Sequence, residues 1–477
     1  MRINKDNKGI GCMKIRRLIA RIVLAVVATG VIFSLLPKTS QAQDNAAPQA
    51  LSECEALRDI YSYGKKYEDY ALLITGKEGW VFRSKLDLRQ NFEFSEKDTR
   101  LYRDFSDALK KRGTHIVLAV IPTRGIVAHE KLPQDIAITQ NYDPVSAKQS
   151  YAAMIETLNT HDILAAGTPE PASGAGYFNH ADQHWTVAGA RDMARSIAGV
   201  IKKPSIWQGM PEQAYQTIAG KEVSYDGRFG KATEALCGLK PPPEKDREAK
   251  TVPDQDGFDK KALFEEKAAP QVVLVGTSNS RRDDFDANFS GALKEALSTD
   301  VLNAAISGGG KADSLLVYLN SESFQNNPPK FLIWEIPGYY DLGGESMRNT
   351  VRQAIAAAYG YCKNPLAAFG SQKVQGESLS LIKNIENKKI KAQAAYLVLN
   401  FDKPVKKNFS ISFKNTDGKN RIFKFKRLRE GHTNTFYYFP SPDKDGVYLN
   451  DVSLTVSKHI TGLNVEARLC PVPPQSD

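Results

Sequence analysis

Two short segments carry residue types whose spacing suits covalent acyl chemistry. Asp182-Gln183-His184-Trp185-Thr186 places a carboxylate two positions before an imidazole, and Gly276-Thr277-Ser278-Asn279-Ser280 places a hydroxyl just beyond an apolar run. Serine is a weak nucleophile until an adjacent base takes its proton; a carboxylate then fixes the tautomer of that base and stabilises its cation. The Asp-x-His spacing lets one loop hold a carboxylate against Nδ1 and leaves Nε2 for the serine. Ser278 is therefore the expected nucleophile, His184 the base and Asp182 its orienter. His180 lies near enough to compete as base, but no carboxylate precedes it at that spacing. Each segment also has a plainer reading: small polar residues are common in strand-to-helix turns, and an Asp before a helical stretch can be a cap beside a packed histidine.

The elements that must position these residues are legible as periodicity. His115–Pro122, Gln271–Gly276 and Phe331–Pro337 are continuous apolar runs flanked by turn residues, the pattern of parallel strands buried on both faces. Asp98–Arg112, Ala147–Leu158 and Thr186–Ile201 repeat at helical spacing, so the first part reads as a parallel α/β sheet. Ser278 then sits at the carboxyl edge of that sheet, where open α/β sheets bind ligands. A helix directly after it would aim its N–H groups at a developing oxyanion. Gly238–Pro270, rich in Pro, Lys, Asp and Glu, reads as a surface insertion. Ser346–Lys391 reads as a helical connector. Beyond it Ala394–Phe401, Phe409–Lys414, Arg421–Arg427, Thr435–Phe439 and Val447–Val456 are short strands at roughly ten-residue spacing, the signature of a β-sandwich. No internal repeat or low-complexity segment is evident.

The chain has 477 residues, 42% hydrophobic and 25% charged, which fits a few globular domains and excludes a wholly disordered, collagen-like or multi-span membrane protein. Its one long apolar run, Ile22–Leu36, follows Lys14, Arg16, Arg17 and Arg21 and precedes Ser40-Gln41-Ala42. Residues 1–42 read as a cleavable signal peptide, with Met13 as an alternative start and an uncleaved anchor as the alternative fate. The mature chain would be periplasmic. It keeps 56 basic and 53 acidic residues, so much of the formal +10 belongs to the leader. Charge is also divided: residues 346–477 carry a net +11 and residues 43–345 a net −8. The basic half is suited to a polyanion; for an exported chain that is an acidic polysaccharide or a membrane surface rather than nucleic acid, and a solvated basic face is the alternative. Four cysteines remain after the leader, Cys54, Cys237, Cys362 and Cys470, an even count that suggests two disulfides. Of three possible pairings, Cys54–Cys237 and Cys362–Cys470 are expected, because each then closes within one proposed domain. No two cysteines are spaced as a zinc-ligand pair. No dinucleotide or P-loop motif is present, and no metal or other cofactor is required.

The DQHWT segment followed by GTS resembles the SGNH-hydrolase-like acetyltransferases of alginate biosynthesis, the AlgX/AlgJ family, in which the Asp-x-His pair precedes the serine. Gly79-Trp80-Val81-Phe82, Pro122-Thr123-Arg124-Gly125 and Leu332-Ile333-Trp334-Glu335-Ile336-Pro337 also look like that family, and the likeness covers nearly the whole mature chain. The β-rich C-terminal part and the four cysteines favour the AlgX branch, since AlgJ lacks that part. The resemblance implies an SGNH-hydrolase-like α/β domain over 43–345 and a carbohydrate-binding-module-like β-sandwich over 346–477. It implies acetyl transfer through Ser278 to uronate hydroxyls of an alginate-like exopolysaccharide, within an export complex and with a membrane acyltransferase as acetyl supplier. The Ser278 N–H would form part of an oxyanion hole, Gly308 of Ser307–Gly310 another donor, and Arg124 and Tyr340 substrate contacts. Their plainer roles are a helix-cap arginine and a packing tyrosine. Lys424, Lys426 and Arg429, interleaved with Phe423 and Phe425, would meet the polymer, with Lys424 and Lys426 on one strand face. Tyr437 and Tyr438 suit core packing better than sugar stacking. One departure is the run Asn279, Arg281-Arg282-Asp283-Asp284 after GTS, where the family has aromatic and small residues; together with the glycine-rich Ser307–Gly310 it bears on acceptor preference and opens another exported polysaccharide such as cellulose. An esterase of the same fold and a non-catalytic polymer-binding scaffold are the alternatives.

Overall fold

The computed structural model describes residues 54–473 apart from 255–269, 283–284, 384, 429–432, 441–445 and 458–459. The leader 1–42 and Arg429 lie outside the described residues. Five strands, β1 His115–Ile121, β2 Leu164–Gly167, β3 Val272–Val275, β4 Leu302–Asn303 and β5 Phe331–Pro337, form one sheet in the order β2-β1-β5-β3-β4, with every pairing parallel. The three continuous apolar runs are its centre, and every residue of β5 is buried, Glu335 included. Burial on both faces is what removed any alternation from these strands.

Helices close over the sheet. They are α1 Glu96–Lys110, α2 Pro144–Thr160, α3 Val187–Ile201, α4 Phe289–Leu297, α5 Asp313–Leu319 and α6 Glu345–Tyr359. Their starts follow from local chemistry. Ser95 and Asp98 form a reciprocal capping box on α1, Asp143 accepts the first free N–H groups of α2 ahead of Pro144, and the Thr186 hydroxyl accepts from Gly189 N–H at 3.1 Å on α3. Thr186, not Asp182, is therefore the cap of the helix after the Asp-x-His segment, and the Asp182 carboxylate is spent elsewhere.

Eight antiparallel strands follow: β6 Ala367–Lys373, β7 Ser378–Ile382, β8 Ala395–Phe401, β9 Phe409–Asn415, β10 Asn420–Phe425, β11 Thr435–Tyr438, β12 Leu449–Val456 and β13 Asn464–Pro471. They make two four-stranded sheets, β6-β13-β8-β11 and β7-β12-β9-β10. Phe401, Phe409, Phe413, Phe425 and Phe436 fill the core of this part. The chain is thus a parallel α/β part followed by a strand-rich β-sandwich, as the two kinds of hydrophobic pattern imply.

Three readings change. The expected helical stretch Ser346–Lys391 is helical only through Tyr359; α6 packs on α1 and on β11, and β6 and β7 then open the sandwich. β6 (AAFGSQK) has no apolar alternation and the Ser-Leu alternation of β7 spans only five residues, which is why these two were missed. The first half of the supposed insertion contains a strand, Glu244–Pro253, paired antiparallel with Tyr215–Tyr225, and residues 255–269 of the rest lie outside the described residues. The run Val301–Ile306, which by its sequence reads as a strand leading into Ser307–Gly310, is a strand only over Leu302–Asn303, cut short by the turn that follows. Both disulfides join the expected partners, Cys54–Cys237 and Cys362–Cys470.

Candidate active site

Ser278 stands on a turn, Thr277–Ser280, that leaves the C-terminal end of β3. No helix follows directly: α4 begins at Phe289, so helix N–H groups do not back the serine. Gly276 is required at the exit. A Cβ there would sit 2.5 Å from Glu335 Oε2 and 2.9 Å from Ser280 Oγ. The turn lies directly over Glu335, whose carboxylate accepts from Thr277 N–H at 2.6 Å, Thr277 O–H at 3.1 Å and Ser280 O–H at 3.0 Å.

The Asp-x-His loop meets this turn from the other side of the sheet edge. His184 Nε2 lies 2.7 Å from Ser278 Oγ, and His184 Nδ1 is hydrogen-bonded to Asp182 Oδ1. Asp182 Oδ1 also accepts from His184 N–H at 3.0 Å, and Oδ2 from Arg228 N–H at 2.9 Å. Trp185 Nε1 donates to Asn279 O at 2.8 Å, tying the two loops together across 94 residues of sequence. Ser278 is half-buried, while Asp182 and His184 are fully buried. His180, the competing base, is stacked on Trp80 with ring centroids 5.0 Å apart.

Burial works against charge on Asp182, but the imidazole, its hydrogen bond, Arg282 and the Arg228 N–H outweigh it and hold the carboxyl well below its usual range. Burial lowers His184, with Asp182 opposing and Arg282 and Arg228 adding to the lowering. Neutral imidazole beside ionised carboxylate is the state that accepts a proton from serine.

Three of the sequence-derived residues, Arg124, Arg282 and Lys426, fall differently from expectation. Arg124 is 1% exposed and cannot reach a substrate. Its guanidinium donates to the carbonyls of Asn179 and Asp182 at 2.6 Å each, His180 at 2.6 Å and Val81 at 2.9 Å. It lies over the Trp80 ring at 4.6 Å, with Asp87 3.6 Å away. Burial lowers it to about 10, which leaves it charged at neutral pH. Arg124 therefore builds the Asp-x-His loop from beneath. Arg282, one of the departures after GTS, is also buried, 3.8 Å from Asp182 and over the Tyr225 ring, so it faces the triad carboxylate rather than an acceptor. Lys424 is exposed on β10, opposite the buried Phe423 and Phe425, as alternation requires. Lys426 lies past the strand end, where Leu316 and Asn320 of the α/β part come close, so the two lysines do not share a strand face. Tyr437 and Tyr438 are core residues, with Tyr438 stacked on Phe423 at 4.0 Å.

Gly308 is exposed, at φ +70°, on a loop brought against the serine turn by Ile306 N–H donating to Gly276 O at 3.2 Å. Tyr340 is half-buried on the turn after β5; Lys311 Nζ lies 5.5 Å from its ring centroid, and a Cβ on Gly310 would lie 3.6 Å from its hydroxyl. Sequence reasoning missed four residues that shape the site: Glu335, Arg228, Glu244, which accepts from Ala181 N–H at 2.6 Å, and Asp246, which accepts from Val187 N–H at 3.1 Å. Only Glu335 carried a signal, as a charge inside the apolar run FLIWEIP.

An acid-base-nucleophile relay at the carboxyl edge of an all-parallel sheet, with the Asp-x-His pair ahead of the serine in sequence, places the fold among SGNH-hydrolase-like proteins. The comparisons sharpen this. The family described as "SGNH hydrolase-like domain, acetyltransferase AlgX" matches residues 73–338, and the chain belongs to it. "Alginate biosynthesis protein AlgX" of Pseudomonas aeruginosa is 36% identical over 344 residues, 70% of each chain. Its namesake in Pseudomonas fluorescens is 27% identical over 440 residues, 89% of this chain and 88% of that one. A solved structure of Pseudomonas aeruginosa AlgX superposes with a TM-score of 0.74 at 27% identity, covering 88% of this chain and 99% of that one. The family resemblance read from the motifs is thereby established.

Proposed function

We propose that the protein is a periplasmic O-acetyltransferase that moves an acetyl group through acetyl-Ser278 onto hydroxyls of an exported acidic polysaccharide, the mannuronate residues of alginate. The observation that carries this is the 2.7 Å contact of Ser278 Oγ with His184 Nε2 while Nδ1 is held by Asp182. The names of the relatives, which include "Probable alginate O-acetylase AlgJ" of Pseudomonas putida, 30% identical over 275 residues, support the acetyl group and the polymer.

Ser278 Oγ attacks the carbonyl of an acetyl donor as His184 Nε2 takes its proton. The tetrahedral oxyanion would meet the backbone N–H groups of Ser278 and Gly308. Collapse breaks the donor ester bond, and His184 returns the proton to the departing alcohol. A sugar hydroxyl then gives its proton to His184 and attacks the acetyl-serine carbonyl; the new sugar ester forms as Ser278 leaves and recovers the proton. Asp182 stays ionised throughout. A membrane acyltransferase would supply acetyl groups, since the reading places the chain outside the cytoplasm after loss of residues 1–42. Two disulfides support that compartment. The sandwich and exposed Lys424 and Lys426 would hold the polyanion within an export complex.

The test is incubation of mature protein with a chromogenic acetyl ester and defined mannuronate oligomers, followed by oligomer mass. Gains of one acetyl unit that vanish in Ser278→Ala support transfer. Ester cleavage without mass gain makes the protein an esterase, and absence of any Ser278-dependent activity makes it a binding scaffold.

A further inference from the structure

We propose that Glu335 is a positioning residue for acetyl transfer, its carboxylate clamping the Gly276–Ser280 turn so that Ser278 is presented to His184. The inference rests on Ser278 being the acylated residue.

A carboxylate in the middle of a fully buried parallel strand is costly unless its acceptor sites are filled. Glu335 is 0% exposed, and among the described residues no cation is paired with it. Its partners come instead from the turn. Thr277 N–H, Thr277 O–H and Ser280 O–H converge on it, bracketing Ser278 on both sides in sequence. Thr277 Oγ1 in turn accepts from Asn279 N–H at 3.2 Å and Asn279 Nδ2 at 3.2 Å. One buried anion thus fixes three of the residues around the nucleophile, and glycine at 276 is what lets it approach. Trp185 holds the same turn from the histidine side through Asn279 O. The turn is pinned at both ends, and the serine is the residue left facing outward.

A parallel strand is ordinarily filled by apolar side chains, but one here would leave the buried Thr277 N–H and the Thr277 and Ser280 hydroxyls without an acceptor. The anion's distinctive ability is to accept three donors at once, which a neutral amide cannot do because its NH2 would face another donor. Burial raises Glu335 to about 7, opposed by the Thr277 N–H, the Ser280 and Thr277 hydroxyls and Asn279. The other titratable groups that feel its charge are Tyr339, Tyr340 and Tyr177, with Arg83 beyond Tyr339 at 4.3 Å from its ring. All three tyrosines are raised and stay neutral at pH 7, so the ionisation near pH 7 in this cluster belongs to Glu335. His184, lowered from 6.5, titrates further toward acid. Acylation should therefore fall first through an ionisation near 7 as the carboxylate takes a proton, and then through a second, more acidic one.

The experiment measures the rate of acetyl-Ser278 formation from p-nitrophenyl acetate between pH 4.5 and 9, with no sugar acceptor, alongside thermal unfolding. Expected for Glu335→Gln are an acylation rate lower by about tenfold or more, a nearly unchanged KM for the ester, and loss of the step near pH 7 with the more acidic one kept. Thr277→Val and Ser280→Ala, which keep the carboxylate and remove one donor each, should each lower the rate with KM kept. Wild-type rate and pH profile in Glu335→Gln overturn the proposal. If Glu335→Gln does not fold, the two donor variants decide: unchanged rates in both overturn it. Failure of the wild-type protein to acylate Ser278 at all overturns the acetyl-transfer reading and this inference with it.

Discussion

Replacing Arg124 by Met tests whether the Asp-x-His loop is held from below. The substitution keeps an unbranched apolar stem among Trp80, Phe82, Phe178 and Phe229 and removes a guanidinium that serves four carbonyls. Leaving a buried acceptor unsatisfied costs roughly 1–3 kcal/mol. The four do not simply add: His180 O keeps Val81 N–H at 2.9 Å, and Asp87 keeps Arg83 at 2.7 Å. The variant also no longer has to desolvate a cation. Removing one member of a buried charged network typically costs about 3–5 kcal/mol, and that is the expected loss. The assay is urea unfolding with both disulfides intact, read beside acylation by a chromogenic acetyl ester. The loop carrying Asp182 and His184 should shift enough to lower acylation about a hundredfold even where the variant is folded. Arg124→Lys should recover little of either, because an ammonium is a point donor and cannot fork to carbonyls on two segments. A loss below about 1 kcal/mol together with near wild-type acylation would refute the assignment of Arg124 as the loop's support.

Asp182→Asn should lower acylation about 10³- to 10⁴-fold with the circular dichroism spectrum kept, because an amide at that place favours the wrong imidazole tautomer, and should unfold at lower urea because buried Arg282 loses its anion; single-turnover kinetics at pH 8 checks it. Removing the Cys362–Cys470 disulfide by paired alanine substitution should cost about 2–5 kcal/mol of stability, given the 108 residues it spans, and should affect the sandwich more than Ser278 acylation; hydrogen exchange resolved along the chain would show where protection is lost.

The site's three central residues were legible because their chemistry is local: a carboxylate two positions from an imidazole, and a serine at the end of a run too apolar to be anything but a buried strand. Arg124 was misjudged for the opposite reason. An arginine after a strand looks like a ligand group from sequence, and only the packing of Trp80 and the 179–182 backbone around it shows that its donors are already spent. Glu244 and Asp246 were hidden in a segment whose Pro, Lys and Glu content suggested a loop, because a strand paired with one partner at the molecular surface has no apolar face to reveal it.

Composition and periodicity by themselves determined the α/β part, the sandwich after it, the alternation that buries Phe423 and Phe425 and exposes Lys424, and the cysteine pairing expected from two separately closed parts. Tertiary structure alone decided what each polar group faces: that His184 reaches Ser278 across 94 residues, that Trp185 locks the two loops, that Arg124 and Arg282 turn inward, and that Glu335 lies beneath the nucleophile. The division has a physical reason. Burial patterns are properties of a single strand or helix and are written in its own residues, whereas the partner of a buried donor or acceptor is set by which other element the topology lays against it.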